Sequence, residues 1–149
     1  MNRKINIRGF TLIELLVVVA ILGIISAVGT VAYNGYVAAT KKTSTENAMQ
    51  QISLAQTEEY SNTGSYYESE GCDSPDVGTS QQIEDNLLGG ANVLTKVNSK
   101  GKREAVSDYY VCIAVTASGY EIIALEDEDD EPPCKIILNN NSVWTRENC

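Results

Sequence analysis

The sequence predicts an α+β chain: one very long N-terminal α-helix, membrane-spanning in its first half and amphipathic in its second, followed by a small antiparallel β-sheet. Three observations carry this. Residues 15–32 hold no charge and only two hydroxyls, Ser26 and Thr30. Beyond them the apolar residues fall first at helical spacing and later, from Tyr109, in strict alternation. All four cysteines, Cys72, Cys112, Cys134 and Cys149, lie past the apolar run.

The apolar run follows a short basic leader, Arg3, Lys4 and Arg8, a junction glycine, Gly9, and one carboxylate, Glu14. From Leu15 to Ala32 it is long enough to cross a hydrocarbon core of about 30 Å as a single helix. A carboxylate at the edge of such a helix costs on the order of a few kcal/mol unless it is paired or protonated, so Glu14 needs a reason. If the chain is cut after Gly9, the new amino terminus is Phe10, and Glu14 stands one helical turn away on the same face. In a lone subunit that amine pairs with its own Glu14. In a bundle of parallel helices the Phe10 amine of one subunit meets a neighbour's Glu14, and the pair sets axial register. A secretory signal cut near Ser26-Ala27 explains the basic start but has no use for the acid. A plain single-span anchor explains the length and leaves the acid unexplained.

Past the apolar run, Ala48, Ile52 and Ala55 recur at i, i+4 and i+7 with Met49 beside them, among Gln, Ser, Thr and Glu. The helix therefore continues outward and stops near Tyr60, where Ser61-Asn62-Thr63-Gly64 supplies turn formers and a capping glycine. From Thr11 to Tyr60 it would be about 75 Å long at a rise of about 1.5 Å per residue.

Residues 61–108 read as a long connection dense in Gly, Ser, Asn and Asp, holding one short helix. Thr79-Ser80-Gln81-Gln82 fits a capping box, Ile83, Leu87 and Leu88 give an apolar face, and Gly89-Gly90 ends it. A hairpin follows, Tyr109–Thr116 and Tyr120–Leu125 joined through Ala117-Ser118-Gly119. Lys135–Leu138 reads as a third strand, Asn139-Asn140-Asn141 as a turn, and Val143-Trp144-Thr145 as a short fourth strand.

Three of the eleven Lys and Arg lie in residues 1–9, so residues 10–149 hold eight against twenty Asp and Glu, a formal charge of −12. Such a surface repels nucleic acid, and DNA is an unfavoured partner. The basic cluster Lys96, Lys100, Lys102 and Arg103 offers phosphate contacts but no motif for base recognition, so a solvated loop is the simpler reading. The acidic run Glu126–Glu131 offers oxygen ligands to calcium, yet it lacks the EF-hand spacing and its central glycine, and reads as a solvated loop between strands. An even number of cysteines in an extracytoplasmic domain reads as disulfides, and four of them allow three connectivities. No histidine and no CxxC spacing are present, which argues against zinc and against Ser/His/Asp or Cys/His catalysis. No cofactor, metal or enzymatic activity is expected. Tyr60, Tyr66 and Tyr67 read as packing beneath a polar loop more readily than as an adhesive patch, and Trp144 as core.

Gly9-Phe10-Thr11-Leu12-Ile13-Glu14 resembles the cleavage and methylation motif of type IV pilins and pseudopilins, and the likeness extends through Val28 and more loosely through Tyr33, Tyr36 and Lys41. The resemblance implies that a prepilin peptidase cuts between Gly9 and Phe10 and N-methylates Phe10, and that Glu14 acts in assembly. It implies residues 1–9 as leader, 10–40 as transmembrane and filament-core helix, and 41–149 as a globular head, with 61–108 as variable connection and 109–149 as sheet and disulfide-bounded C-terminal region. It favours Cys134 with Cys149, which leaves Cys72 with Cys112. The implied partners are the peptidase, other pilin subunits, an inner-membrane platform protein and an assembly ATPase acting indirectly. The monomer would sit in the inner membrane with its head in the periplasm before joining an extracellular filament. Lys41 and Lys42, where the helix leaves the apolar zone, would meet head groups or neighbouring acids. The chain departs from the family at Val31, where a helix-kinking proline is frequent. Gly29 is then the place for any melting of the helix in assembly, or else a small residue that permits close packing. A type II secretion pseudopilin and a minor pilin that binds DNA or a surface share the same N-terminal features.

Overall fold

The computed structural model describes residues 9–127 and 132–149. Arg3, Lys4 and Arg8 of the expected leader and Glu128–Glu131 of the acidic run lie outside the described residues. The architecture is α+β: a long apolar N-terminal helix, a second helix and an antiparallel sheet. The chain divides into two compact units, Met1–Ala39 and Thr40–Cys149.

Helix α1 runs over Leu12–Thr63, 52 residues without a break at Gly29, and closes three residues later than the turn formers suggest. In the first unit its side chains are predominantly apolar, with Glu14 the one charged residue. Its window Leu12–Gly29 has a mean hydropathy of 2.7 and no buried residue.

In the second unit the same helix becomes one-sided. Thr45, Ala48, Met49, Ile52 and Gln56 are buried, while Gln50, Gln51 and Leu54 or their neighbours between them reach solvent or the margin of the core. Spacings of three, four and seven residues place the buried five on one face. That face packs with the inner side of a four-stranded meander, β3 (Tyr109–Thr116), β4 (Gly119–Glu126), β5 (Lys135–Asn139) and β6 (Trp144–Glu147), paired antiparallel in that order. Alternation along the strands sends Val111, Ile113, Tyr120, Ile122, Ala124, Ile136 and Leu138 into the same apolar cluster as Met49 and Ile52. Each such aliphatic side chain removed from water contributes roughly 1.5–3 kcal/mol. The hairpin turn is tighter than the sequence suggests, because Gly119 already pairs with Thr116 and opens β4.

The core side of α1 also holds a polar anchor that apolar periodicity does not reveal. Gln56 is fully buried, and its side-chain amide meets one residue on both sides: Nε2 donates to the Tyr67 carbonyl at 2.7 Å and Oε1 accepts the Tyr67 N–H at 2.9 Å. This folds the chain back after α1 while satisfying every polar atom of the glutamine near it.

Helix α2 spans Val77–Asn86 and begins three residues earlier than Thr79 would set it. Asp76 is the N-cap: its Oδ1 accepts the Thr79 N–H at 2.8 Å, and Thr79 Oγ1 accepts the Asp76 N–H at 3.2 Å. The Thr79 N–H, and after it the Thr79 hydroxyl, which also donates to Oδ1 at 3.0 Å, hold the Asp76 carboxyl below the usual carboxylate range. α2 then covers the free edge of β3. Ser80 Oγ accepts the Val111 N–H and Ser69 Oγ accepts the Ile113 N–H, each at 2.8 Å, so hydroxyls close an edge that otherwise would invite a foreign strand.

The connection holds a second element that the sequence reading lacks, a two-stranded hairpin of β1 (Thr95–Val97) and β2 (Arg103–Ala105). Strands of three residues, one carrying Lys and the other Arg and Glu, show no alternation to detect. Tertiary bonding makes them. Glu84 of α2 is 1% exposed; Oε1 accepts the N–H groups of Leu94 and Thr95 at 2.7 and 2.9 Å, and Oε2 accepts the Thr95 hydroxyl at 2.5 Å. Arg103 Nη1 lies 3.7 Å from the same carboxylate and donates to Thr95 Oγ1 at 2.7 Å. Arg103 is therefore a half-buried partner of a buried carboxylate and not part of a solvated loop.

Candidate functional site

Gly9 and Phe10 precede α1 in non-helical backbone, and Phe10 is 80% exposed. The helix starts at Leu12 because Thr11 caps it. Thr11 Oγ1 accepts the Glu14 N–H at 3.3 Å, and Glu14 Oε2 accepts the Thr11 N–H at 2.9 Å and the Thr11 hydroxyl at 2.8 Å. This reciprocal capping box satisfies two of the amides that every helix start leaves open, and it sets a carboxylate against the positive end of the helix dipole.

The box gives Glu14 a use in any membrane anchor, since unsatisfied amides in hydrocarbon cost several kcal/mol each. The expectation that a plain anchor leaves the acid unexplained is thereby corrected. The signal was present in the sequence as Thr11-x-x-Glu14. Glu14 Oε1 takes no hydrogen bond among the described residues. Phe10, Ile13, Glu14, Val17 and Val18 line one shallow recess of about 360 Å³. Phe10 and Glu14 thus share a surface, with an oxygen of the acid still open and apolar side chains around it.

The remaining predicted residues lie in the second unit. Cys72 is bonded to Cys112, which ties the connection to the middle of β3, and Cys134 to Cys149, which closes the last two strands. Lys41 forms an ion pair with Asp108, a residue in left-handed backbone just before β3, and Arg146 of β6 reaches Glu46 of α1 through two nitrogens at 2.8 and 2.9 Å. Lys96 pairs with Glu104 at 3.5 Å. Tyr60 stacks on Tyr66 at 4.5 Å between centroids, and Tyr66 meets the buried Tyr120 edge-on at 4.9 Å. The tyrosines at the end of α1 are consequently packed together, as amphipathic cover for the core. Trp144 is only partly buried, with the Arg146 guanidinium 5.6 Å from its ring centroid. At the start of the acidic run, the Tyr110 hydroxyl donates to Asp127 at 2.5 Å; burial, then that bond, pushes the phenol up to about 12. Among the described residues no group of three or more His, Cys, Asp or Glu is placed to hold a metal ion.

An exposed apolar helix headed by a capped glutamate, continuing into an α+β head with an antiparallel meander, is a pilin-like architecture. A family model described as the prokaryotic N-terminal methylation motif matches residues 4–30, and the chain is homologous to the type IV major fimbrial protein FimA of Dichelobacter nodosus. One FimA sequence is 34% identical over 93 residues, 62% of this chain and 54% of the relative. Another, from strain VCS1703A, is 59% identical over 34 residues, 23% of this chain and 21% of the relative. The chain therefore spans about half the length of the first relative and less of the second. No solved structure matches it.

Proposed function

We propose that this chain is the structural subunit of a type IV pilus, made as a membrane precursor, cut between Gly9 and Phe10, N-methylated on Phe10, and polymerised through its N-terminal helix. One observation carries the reading: Phe10 and Glu14 line the same apolar recess, with Glu14 Oε1 taking no hydrogen bond among the described residues, at the head of an 18-residue membrane-length span. Cleavage would turn the Phe10 amide into an amine. The Thr11 cap would hold Oε2 of Glu14, so that Oε1 faces the Phe10 amine of a neighbour. A charge pair inside an apolar bundle is strongly destabilised when one partner is removed, which makes it a register device more than a source of affinity. Heterologous contacts of this kind, which do not close, generate open filaments.

The homology to FimA supports polymerisation with other pilin subunits and a structural role without catalysis. Processing would require the prepilin peptidase, and extrusion an inner-membrane platform protein and a cytoplasmic ATPase. The exposed 18-residue span Leu12–Gly29, apolar but for Glu14 and Ser26, favours the membrane as host of the monomer before it enters the filament.

Intact mass analysis of the purified mature protein tests the assignment. The expected species begins at Phe10, carries one added methyl group and lacks the four hydrogens lost in forming two disulfides. An N-terminus near Val28 would refute it in favour of a secretory signal.

A further inference from the structure

Residues 10–149 carry a formal charge of −12, so copies brought together in a polymer repel unless unlike patches meet. Four of their eight cations are spent inside the subunit: Lys41 on Asp108, Lys96 on Glu104, Arg103 on Glu84 and Arg146 on Glu46. Lys100 and Lys102 differ. Both are exposed at the tip of the β1–β2 hairpin, and neither side chain has an ion pair among the described residues.

The tip that presents them is ordered. Asn98 Oδ1 accepts the Lys100 and Lys102 N–H groups, each at 3.0 Å, and Asn98 Nδ2 donates to Glu104 at 3.1 Å. The hairpin base is held by the buried Glu84 carboxylate. Two ammonium groups are thus displayed on a fixed support, two residues apart. At the end of β4 stand Glu126, whose carboxylate has no cation partner among the described residues, and the exposed Asp127, which holds the Tyr110 hydroxyl. Neither acid meets the hairpin lysines within one subunit, so both patches are left for another copy.

We propose that the β1–β2 hairpin tip, through Lys100 and Lys102, docks on the Glu126–Asp127 end of β4 in a second copy of this chain. The inference rests on the polymerisation reading above. A heterologous contact joins two different patches of one sequence, and the cationic hairpin tip and the acidic end of β4 are patches of opposite sign without an ion pair among the described residues. The pair would contribute orientation and partner choice more than affinity, as charges at an interface rim do.

The test uses the full chain expressed as sheared filament. The double reversal Lys100→Glu with Lys102→Glu is expected to lower filament yield at least tenfold, with the processed subunit in the membrane unchanged. Adding Glu126→Lys and Asp127→Lys should restore yield to within about threefold of wild type. Carbodiimide treatment of wild-type filaments should yield an intersubunit peptide joining Lys100 or Lys102 to Glu126 or Asp127. Wild-type yield from the reversal, or its loss without rescue and without that peptide, overturns the proposal and leaves the pilin reading standing. Unchanged yield with lost retention of duplex DNA overturns it in favour of a polyanion partner. Absence of filaments from the wild-type chain would instead remove the polymerisation reading itself, and this inference with it.

Discussion

Thr11 and Glu14 each hold the other's backbone amide: the Glu14 N–H reaches Thr11 Oγ1 at 3.3 Å and the Thr11 N–H reaches Glu14 Oε2 at 2.9 Å. The helix start is thereby relieved of two open donors before any neighbour arrives. Thr11→Val keeps the shape and removes the hydroxyl. The first turn should fray, with amide exchange at residues 13–15 in detergent micelles rising about fivefold, as expected for an N-cap worth about 1 kcal/mol. Thr11→Ser should exchange like the wild type. Equal exchange in Thr11→Val and wild type would show that the box does not hold the helix start.

Glu84 is the buried tie between α2 and the β1–β2 hairpin, accepting two backbone amides and the Thr95 hydroxyl. Glu84→Ala strands those donors and leaves Arg103 without its acid, and should cost about 3–5 kcal/mol. Glu84→Gln keeps one acceptor oxygen and should cost clearly less, about 1–2 kcal/mol. Urea unfolding of the full chain in micelles measures both. A Glu84→Ala loss below about 1 kcal/mol would mean that the hairpin is held elsewhere.

Gly119 opens β4 at φ 141°, and a Cβ there would lie 2.5 Å from the Asn140 side chain. Asn140 can move aside only by giving up its bond to the Ser118 carbonyl. Gly119→Ala should therefore destabilise the head by about 1–3 kcal/mol, with the paired variant Gly119→Ala, Asn140→Ala recovering the steric part. Thermal unfolding that is unchanged in Gly119→Ala would contradict the close approach.

Asp76 titrates below its ordinary range in the folded chain because it accepts the Thr79 amide and hydroxyl. Around that range the unfolded chain binds the proton first, so stability rises with pH. Asp76 contributes fully above the ordinary carboxylate pKa of about 3.9, and the contribution disappears as pH falls through the lower folded value. The wild type and Asp76→Ala should differ by about 1 kcal/mol at neutral pH and converge in strong acid. A difference that does not shrink on acidification would assign the loss to something other than the cap.

These residues also indicate where the sequence could be read and where it could not. The long helix, the β3–β4–β5 meander and the Gly9-Phe10-Glu14 cluster follow from periodicity and a short motif, which are local. The start of α2 was also local, since Asp76 is the stronger cap and Pro75 precedes it, but Thr79 with Gln82 offered an equally plausible box. β1 and β2 and the buried Gln56 are different. Charged three-residue strands and a glutamine on an apolar stripe acquire their roles only from Glu84 and from the Tyr67 backbone, partners distant in sequence. The capping role of Glu14 was legible as Thr11-x-x-Glu14, yet an acid at the edge of an apolar span points first to a counter-charge elsewhere and not to a bond made to its own helix.

The most direct measurement of the central claim is a density map of the assembled filament in which Phe10 and Glu14 are resolved. The account predicts the Phe10 nitrogen of one subunit within hydrogen-bond distance of Glu14 Oε1 in a neighbour, while Oε2 stays on Thr11. A Glu14 carboxylate turned to solvent, or remote from every terminal nitrogen, would contradict it.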